Sequence, residues 1–189
     1  MKIKNRTSLG ITLFICGIAG FFLKSCAAIP KGAKPVADFE ISRYLGTWYE
    51  VARFDFRFEK DLNNTMAQYS LDEKGRVIVL NSGYNYVKEK WTSAEGLAKF
   101  RGDSSVAALK VSFFGPFYSG YNVIALDEDY KYALVAGKNL NYLWILSREK
   151  SIPESVKQAY LKIAEEVGYD TSNFIWVEHD RKSPFDEKS

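Results

Sequence analysis

From residue 46 onward, short β-branched or aromatic segments alternate with turn residues at a spacing no helix produces. Eight strands are predicted, over 46–54, 66–72, 76–82, 90–100, 106–114, 120–127, 131–137 and 142–148. Evenly spaced strands of this kind build an antiparallel sandwich or barrel. The period then changes: Val156, Tyr160, Ile163 and Val167 recur at helical spacing, so one C-terminal helix is expected to pack on the outside of the sheet. Ser151-Ile152-Pro153-Glu154 reads as its capping box and Gly168 as its C-terminal cap. Residues 174–177 offer one more short strand, and 179–189 read as a disordered charged tail.

The connections differ from one another in a regular way. In an up-and-down barrel successive turns alternate between the two ends, so odd and even connections separate the ends. The even ones are polar: Asp72-Glu73-Lys74-Gly75, Arg101-Gly102-Asp103-Ser104-Ser105 and Asp127-Glu128-Asp129-Tyr130. The odd ones carry aromatic side chains, in Phe56-Arg57-Phe58, Gly83-Tyr84-Asn85-Tyr86 and Gly115-Pro116-Phe117-Tyr118, while Gly137-Lys138-Asn139-Leu140-Asn141 fits the pattern less well. One end therefore reads as shut and wet, the other as an entrance for an apolar ligand, unless these rings only pack beneath their loops.

The first 25 residues follow another pattern. Lys2, Lys4 and Arg6 precede an uncharged apolar run from Leu9 to Leu23, the layout of an export signal. At about 15 residues the run is shorter than the roughly 20 of a spanning helix. It ends in Leu23-Lys24-Ser25-Cys26, which is similar to a bacterial lipobox except for the charge of Lys24. Processing there leaves Cys26 as a lipid-modified first residue. Cleavage after Ala27 or Ala28 instead releases a soluble periplasmic protein. Ala27 after the cysteine resembles outer-membrane sorting, so the expected location is the outer membrane, facing the periplasm, through a membrane-inserted lipid anchor. Residues 26–38 read as the tether and 39–178 as the folded domain.

Cys16 and Cys26 both fall in or beside the signal, so no disulfide supports that domain and its core alone must hold it. Without the signal the chain carries 22 basic against 23 acidic residues, which removes the electrostatic motive for nucleic-acid binding.

Gly46-Thr47-Trp48 at the start of the first strand, the partial motif Asp127-Glu128-Asp129-Tyr130 and Arg148 at the end of the eighth strand together resemble the lipocalin family. Longer stretches, Gly46-Thr47-Trp48-Tyr49-Glu50-Val51-Ala52-Arg53 and Tyr142-Leu143-Trp144-Ile145-Leu146-Ser147-Arg148 among them, are similar to its bacterial outer-membrane branch, the relatives of apolipoprotein D. The resemblance implies an eight-stranded antiparallel up-and-down β-barrel with one C-terminal helix outside. It further implies that Gly46, Trp48 and Arg148 close the barrel floor, with the guanidinium stacked on the indole. The implied partner is a fatty acid or lysophospholipid carried or stored in the barrel. No cofactor and no metal are expected, and a homodimer is compatible with this reading.

With Trp48 turned inward, strand alternation assigns the ligand-facing wall. The set is Ala52, Phe54, Tyr69, Val79, Ala98, Phe100, Leu109, Val111, Phe113, Asn122, Ile124, Val135, Tyr142 and Trp144. Small inward residues, Ala52, Ala67, Gly96, Ala98 and Ala133, favour a void, and a filled barrel is the other outcome. Arg57, Lys60, Tyr84 and Tyr86 are placed to meet a polar head at the mouth. Enzyme signatures are missing, and the single histidine, His179, falls in the tail. A non-enzymatic protein is therefore expected. Inward Glu50 is the carboxylate that an enzyme acting on bound lipid would use.

Overall fold

The predicted segments form β1 (Gly46–Phe54), β2 (Leu62–Leu71), β3 (Val77–Asn85), β4 (Lys90–Phe100), β5 (Ala108–Phe114), β6 (Phe117–Leu126), β7 (Tyr132–Ala136) and β8 (Leu143–Ser147) in a computed structural model that describes residues 28–185. Each strand pairs antiparallel with the next, and β1 pairs with both β8 and β2. The sheet is thus a closed eight-stranded barrel. A four-residue helix α1 (Ile41–Tyr44) precedes it. Helix α2 (Glu154–Val167) and strand β9 (Phe174–Trp176) follow, and α2 lies outside. The signal and the lipobox, Cys26 included, fall outside the described residues.

Two apolar layers share the sheet. Trp48, Tyr69, Val79, Leu109, Val111 and Val135 belong to the inner one, while Val51, Leu134, Leu143 and Ile145 pack outward against Tyr160 and Ala164 of α2. The helix ends at Gly168, whose φ of 104° supplies the left-handed cap that a side chain would resist. Its start differs from the capping-box expectation: Pro153 is the N-cap residue and no side chain caps the helix. Proline fixes the extended entry there, and the hydroxyl of Ser147 takes up the Ser151 carbonyl.

The floor is closed from below. Arg148 stacks on Trp48 at 3.9 Å and its guanidinium donates to the carbonyls of Tyr130, Thr47, Arg43 and Leu45. Trp48 Nε1 donates to Tyr44 O at 2.8 Å, which ties α1 under the barrel. Gly46, at φ 90°, lets the chain turn from α1 into β1 beside that guanidinium.

At the other end β1 and β2 part company. Their pairing runs only from Gly46 to Tyr49, and beyond it Ala52–Phe54 pair with β9. Val177 N donates to Val51 O and Asn64 N to Glu178 O, so the C-terminal chain wedges between the two strands and satisfies their open edges. The tail consequently differs from the disordered expectation over residues 179–185. Asn64 binds Asp180 and Arg181, Gln68 donates to Phe185 O, and the Arg181 guanidinium lies 4.2 Å over Tyr84. His179, expected in solvent, has Nε2 2.9 Å from Glu50 O. The tether is likewise docked where it is described: Val36 N donates to Val123 O, and Asn122 Nδ2 donates to Ala28 O.

Because one guanidinium ties four carbonyls to the floor, Arg148→Ala is expected to lower unfolding stability by about 2–4 kcal/mol in urea titrations. Arg148→Lys recovers less than half of that, since an ammonium cannot offer a planar fork. Equal stability of the alanine variant and the parent would remove the floor from this account.

Candidate functional site

The inner wall is apolar at mid-height and polar above and below. Of the wall assigned from strand alternation, Tyr69, Val79, Ala98, Phe100, Leu109, Val111, Phe113, Val135 and Trp144 belong to the inner cluster. Tyr142 sits at the rim, stacked 6.2 Å from Trp144. Four residues face the other way. Ala52, Phe54 and Ile124 join the outer layer under α2, and Asn122 is turned outward onto Ala28 O and Ala136 O. The cause is a pair of β-bulges, between Glu50 and Ala52 on β1 and between Val123 and Ala125 on β6. One extra residue reverses the alternation beyond it, so Tyr121 and Val123 line the barrel instead.

The space that small residues were expected to leave is partly spoken for. A Cβ on Gly96 would stand 2.8 Å from the Phe113 ring, so that glycine accommodates a phenyl group rather than a void. Ala52 is outside the barrel altogether. Near the floor, Tyr44, Tyr69 and Tyr121 converge: the Tyr121 hydroxyl lies 2.8 Å from that of Tyr44 and 2.7 Å from that of Tyr69. Burial pushes all three phenols above their ordinary range, so they are neutral hydrogen-bonding groups at any physiological pH.

Above mid-height lies a buried charge cluster that the alternation argument missed, because it turned Arg53 outward. Arg53 follows the β1 bulge into the barrel, with Nη1 3.0 Å from Glu50 Oε1 and Nη2 donating to Glu59 O and Leu62 O. Thr65 Oγ1 also donates to Glu50 Oε1, at 2.9 Å. Glu59 reaches in from the first loop: its Oε2 accepts from Trp144 Nε1 at 3.2 Å and lies 3.7 Å from Arg53 Nε. Two carboxyls and one guanidinium would carry a net negative charge if both acids ionised, and burying that charge is costly. Burial accordingly raises both carboxyls, Glu59 the more strongly, with the neighbouring Glu50 adding to the rise and Arg53 opposing it.

The same contacts draw the first loop across the mouth. Phe56 packs edge-on against Trp144 and Tyr142, and Phe58 lies 5.9 Å from Phe114 on the far side. Arg57 stacks over Phe58 at 4.5 Å. Tyr84 is engaged by Arg181 and Trp91, whereas Tyr86 is exposed at the rim. Lys60 lies on the same loop as Glu59. Outside the barrel, a groove of about 590 Å³ runs between Phe56, Leu140 and Tyr142 and the end of α2 near Asp170. Among the described residues no cluster of His, Cys, Asp and Glu could hold a metal ion.

Residues 39–179 match the family described as "Lipocalin-like domain". The outer membrane lipoprotein Blc of Citrobacter freundii is 53% identical over 161 residues, covering 84% of this chain and 91% of that one. Its namesake in Vibrio cholerae is 44% identical and covers 89% of this chain and 97% of its own. Among solved structures, insecticyanin from the tobacco hornworm superposes with a TM-score of 0.63 at 25% identity, over 77% of this chain and 84% of that one.

The raised Glu59 carboxyl has a measurable consequence. It titrates near 4.5 in the unfolded chain and higher in the folded protein, so above pH 4.5 the folded state holds a proton that the unfolded chain has released. Stability therefore falls as pH rises through that window. Glu59→Gln, which keeps an acceptor for Trp144, is expected to flatten the fall and to melt above the parent by about 2–4 °C for each kcal/mol relieved. Melting curves at pH 4.5, 6 and 7.5 check this, and a constant offset between the two proteins at all three would contradict it.

Proposed function

The chain belongs to the lipocalin family, and on that premise we propose that it is a lipid-binding carrier or storage protein of the bacterial cell envelope, holding one fatty acid or lysophospholipid in its barrel. The observation that carries the reading is the apolar inner wall of a closed barrel, Val79, Ala98, Leu109, Val111 and Val135, which lies between the aromatic floor and the aromatic mouth loops. Each methylene moved from water to such a wall contributes about 0.8 kcal/mol. An acyl chain can thus bind without special chemistry. Its carboxylate or phosphate stays at the rim beside Arg57 and Lys60. Entry requires the first loop to lift Phe56 and Phe58 from the mouth.

The location proposed is the outer membrane, with Cys26 as the lipidated first residue. Two things support it: the lipobox-like Leu23-Lys24-Ser25-Cys26, and relatives that bear the name outer membrane lipoprotein. Among the described residues no helix is long and apolar enough to cross a membrane. We read the protein as a binder rather than an enzyme. The most buried acid, Glu50, already accepts from Arg53 and Thr65 through one oxygen, an arrangement suited to holding a wall together. The second reading, an envelope interaction protein with a filled barrel, draws on Phe113 occupying the space beside Gly96.

Delipidated protein titrated with saturated fatty acids of increasing length separates the two. Binding is expected at one lipid per barrel, with affinity rising about tenfold for each two methylenes until the chain outgrows the interior. Val111→Trp is expected to abolish it, while Ile124→Trp, on the outer face, is not. Absence of binding in the parent, together with absence of lipid in protein extracted from cells, would leave the filled-barrel reading. Intact mass of the mature chain tests Cys26 independently.

A further inference from the structure

Exposed apolar side chains are concentrated at one end. Phe58 on the first mouth loop is 59% exposed, and the β5–β6 hairpin holds out Phe114 at 66% and Phe117 at 79%. Tyr86 and Val87 on the β3–β4 turn and Leu140 on the β7–β8 loop are exposed too, so each of the four mouth connections presents at least one. At the floor end the even connections present none, and Leu71, at the last residue of β2, is the exposed apolar group nearest to them.

Cations accompany these tips. Arg57 lies over Phe58, and Lys138 lies 5.9 Å from Tyr142. Lys88 and Lys90 flank Glu89 beside Val87. Apolar tips with long cationic side chains set just behind them match the boundary of a phospholipid bilayer, where rings enter the acyl edge and amines stay with phosphates. A water-facing rim gains nothing from this arrangement.

The path of the N-terminal segment is a separate observation. Ala28 O accepts from Asn122 Nδ2, and a Cβ on Gly120 would collide with that same carbonyl. Gly120 is three residues from the tip residue Phe117, a rise of about 10 Å. From there the segment descends to the floor, where Phe39 N donates to Ser105 O. The chain therefore enters the fold on the mouth side. Only Ala27 separates Ala28 from Cys26 in the sequence, and two residue steps span at most about 7 Å.

We propose that the protein stands mouth down, with Phe58, Phe114, Phe117 and Val87 seated in the head-group layer of the bilayer that carries its anchor. Lipid then passes between bilayer and barrel without crossing water. The inference deepens the envelope reading and depends on Cys26 as the anchor only for which membrane is met.

The test uses the mature protein as isolated from membranes, reconstituted in vesicles of phosphatidylethanolamine and phosphatidylglycerol. A fluorophore is attached at Phe117→Cys or, at the opposite end, at Leu71→Cys. Lipids bearing a quencher in the upper acyl chain are expected to quench the first label several-fold more than the second. Equal quenching, the reverse order, or none at either position overturns the proposal. Mouth-to-mouth pairing of two copies also overturns it, and is read from the unlabelled Phe117→Cys variant forming a disulfide dimer under an added thiol oxidant in vesicles, while the labelled protein stays unquenched. The double variant V87S/F117S, which leaves the first loop and its Phe58–Phe114 contact intact, is expected to take lipid from vesicles at least tenfold more slowly while binding dissolved fatty acid like the parent. If the parent binds no fatty acid at all, the carrier reading fails, yet the quenching comparison still decides the orientation.

Discussion

A sheet that rolls shut obliges its first strand to answer to two partners, and β1 manages this for only half its length. It holds β2 from Gly46 to Tyr49 and β8 from Tyr49 to Arg53, with the bulge at Glu50 and Ala52 in between. Much follows from that bulge. Beyond it Arg53 enters the barrel, β1 diverges from β2, and the C-terminal chain fills the opened seam. Arg53 in turn holds Glu50 and the backbone of the first loop, whose phenylalanines cross the mouth. Closure of the sheet and covering of the entrance are therefore linked through a single strand irregularity.

The interior is graded along its axis. Aromatic rings and shared hydroxyls fill the floor, aliphatic groups occupy the middle, and a charge cluster whose carboxyls are raised by burial sits under the first loop. Buried ion pairs seldom add net stability, because desolvation offsets attraction. Their use here is positional. Arg53 and Trp144 give the first loop a defined seat that an apolar contact alone would leave loose.

The two ends differ for a reason visible in their turns. Asp72, Asp103 and Asp127 each accept backbone N–H groups of their own floor connections, which holds those turns short and stiff. The mouth loops spend their residues on exposed rings and leucine instead. The three floor turns are thus held by their own side chains, while the first mouth loop is held by ring contacts and by Arg53.

Strand count, helix, Gly168 cap and aromatic end were legible because each rests on local period or on residues whose chemistry allows few roles, whereas the Trp48 and Arg148 pair followed only from the family resemblance. The facing of Ala52, Phe54, Asn122 and Ile124 was not. Alternation carries no memory across an inserted residue, and whether a bulge occurs depends on the twist needed to bring β1 against β8 and β9. The docked tail was illegible for a related reason: its charged composition reads as solvated, and only the gap between β1 and β2 gives its backbone a partner. By itself, then, the sequence determined the layers and the chemistry of the two ends, which are local properties of neighbouring residues. Tertiary structure alone decided which side chains meet inside, since closing a barrel is a condition imposed on all strands at once.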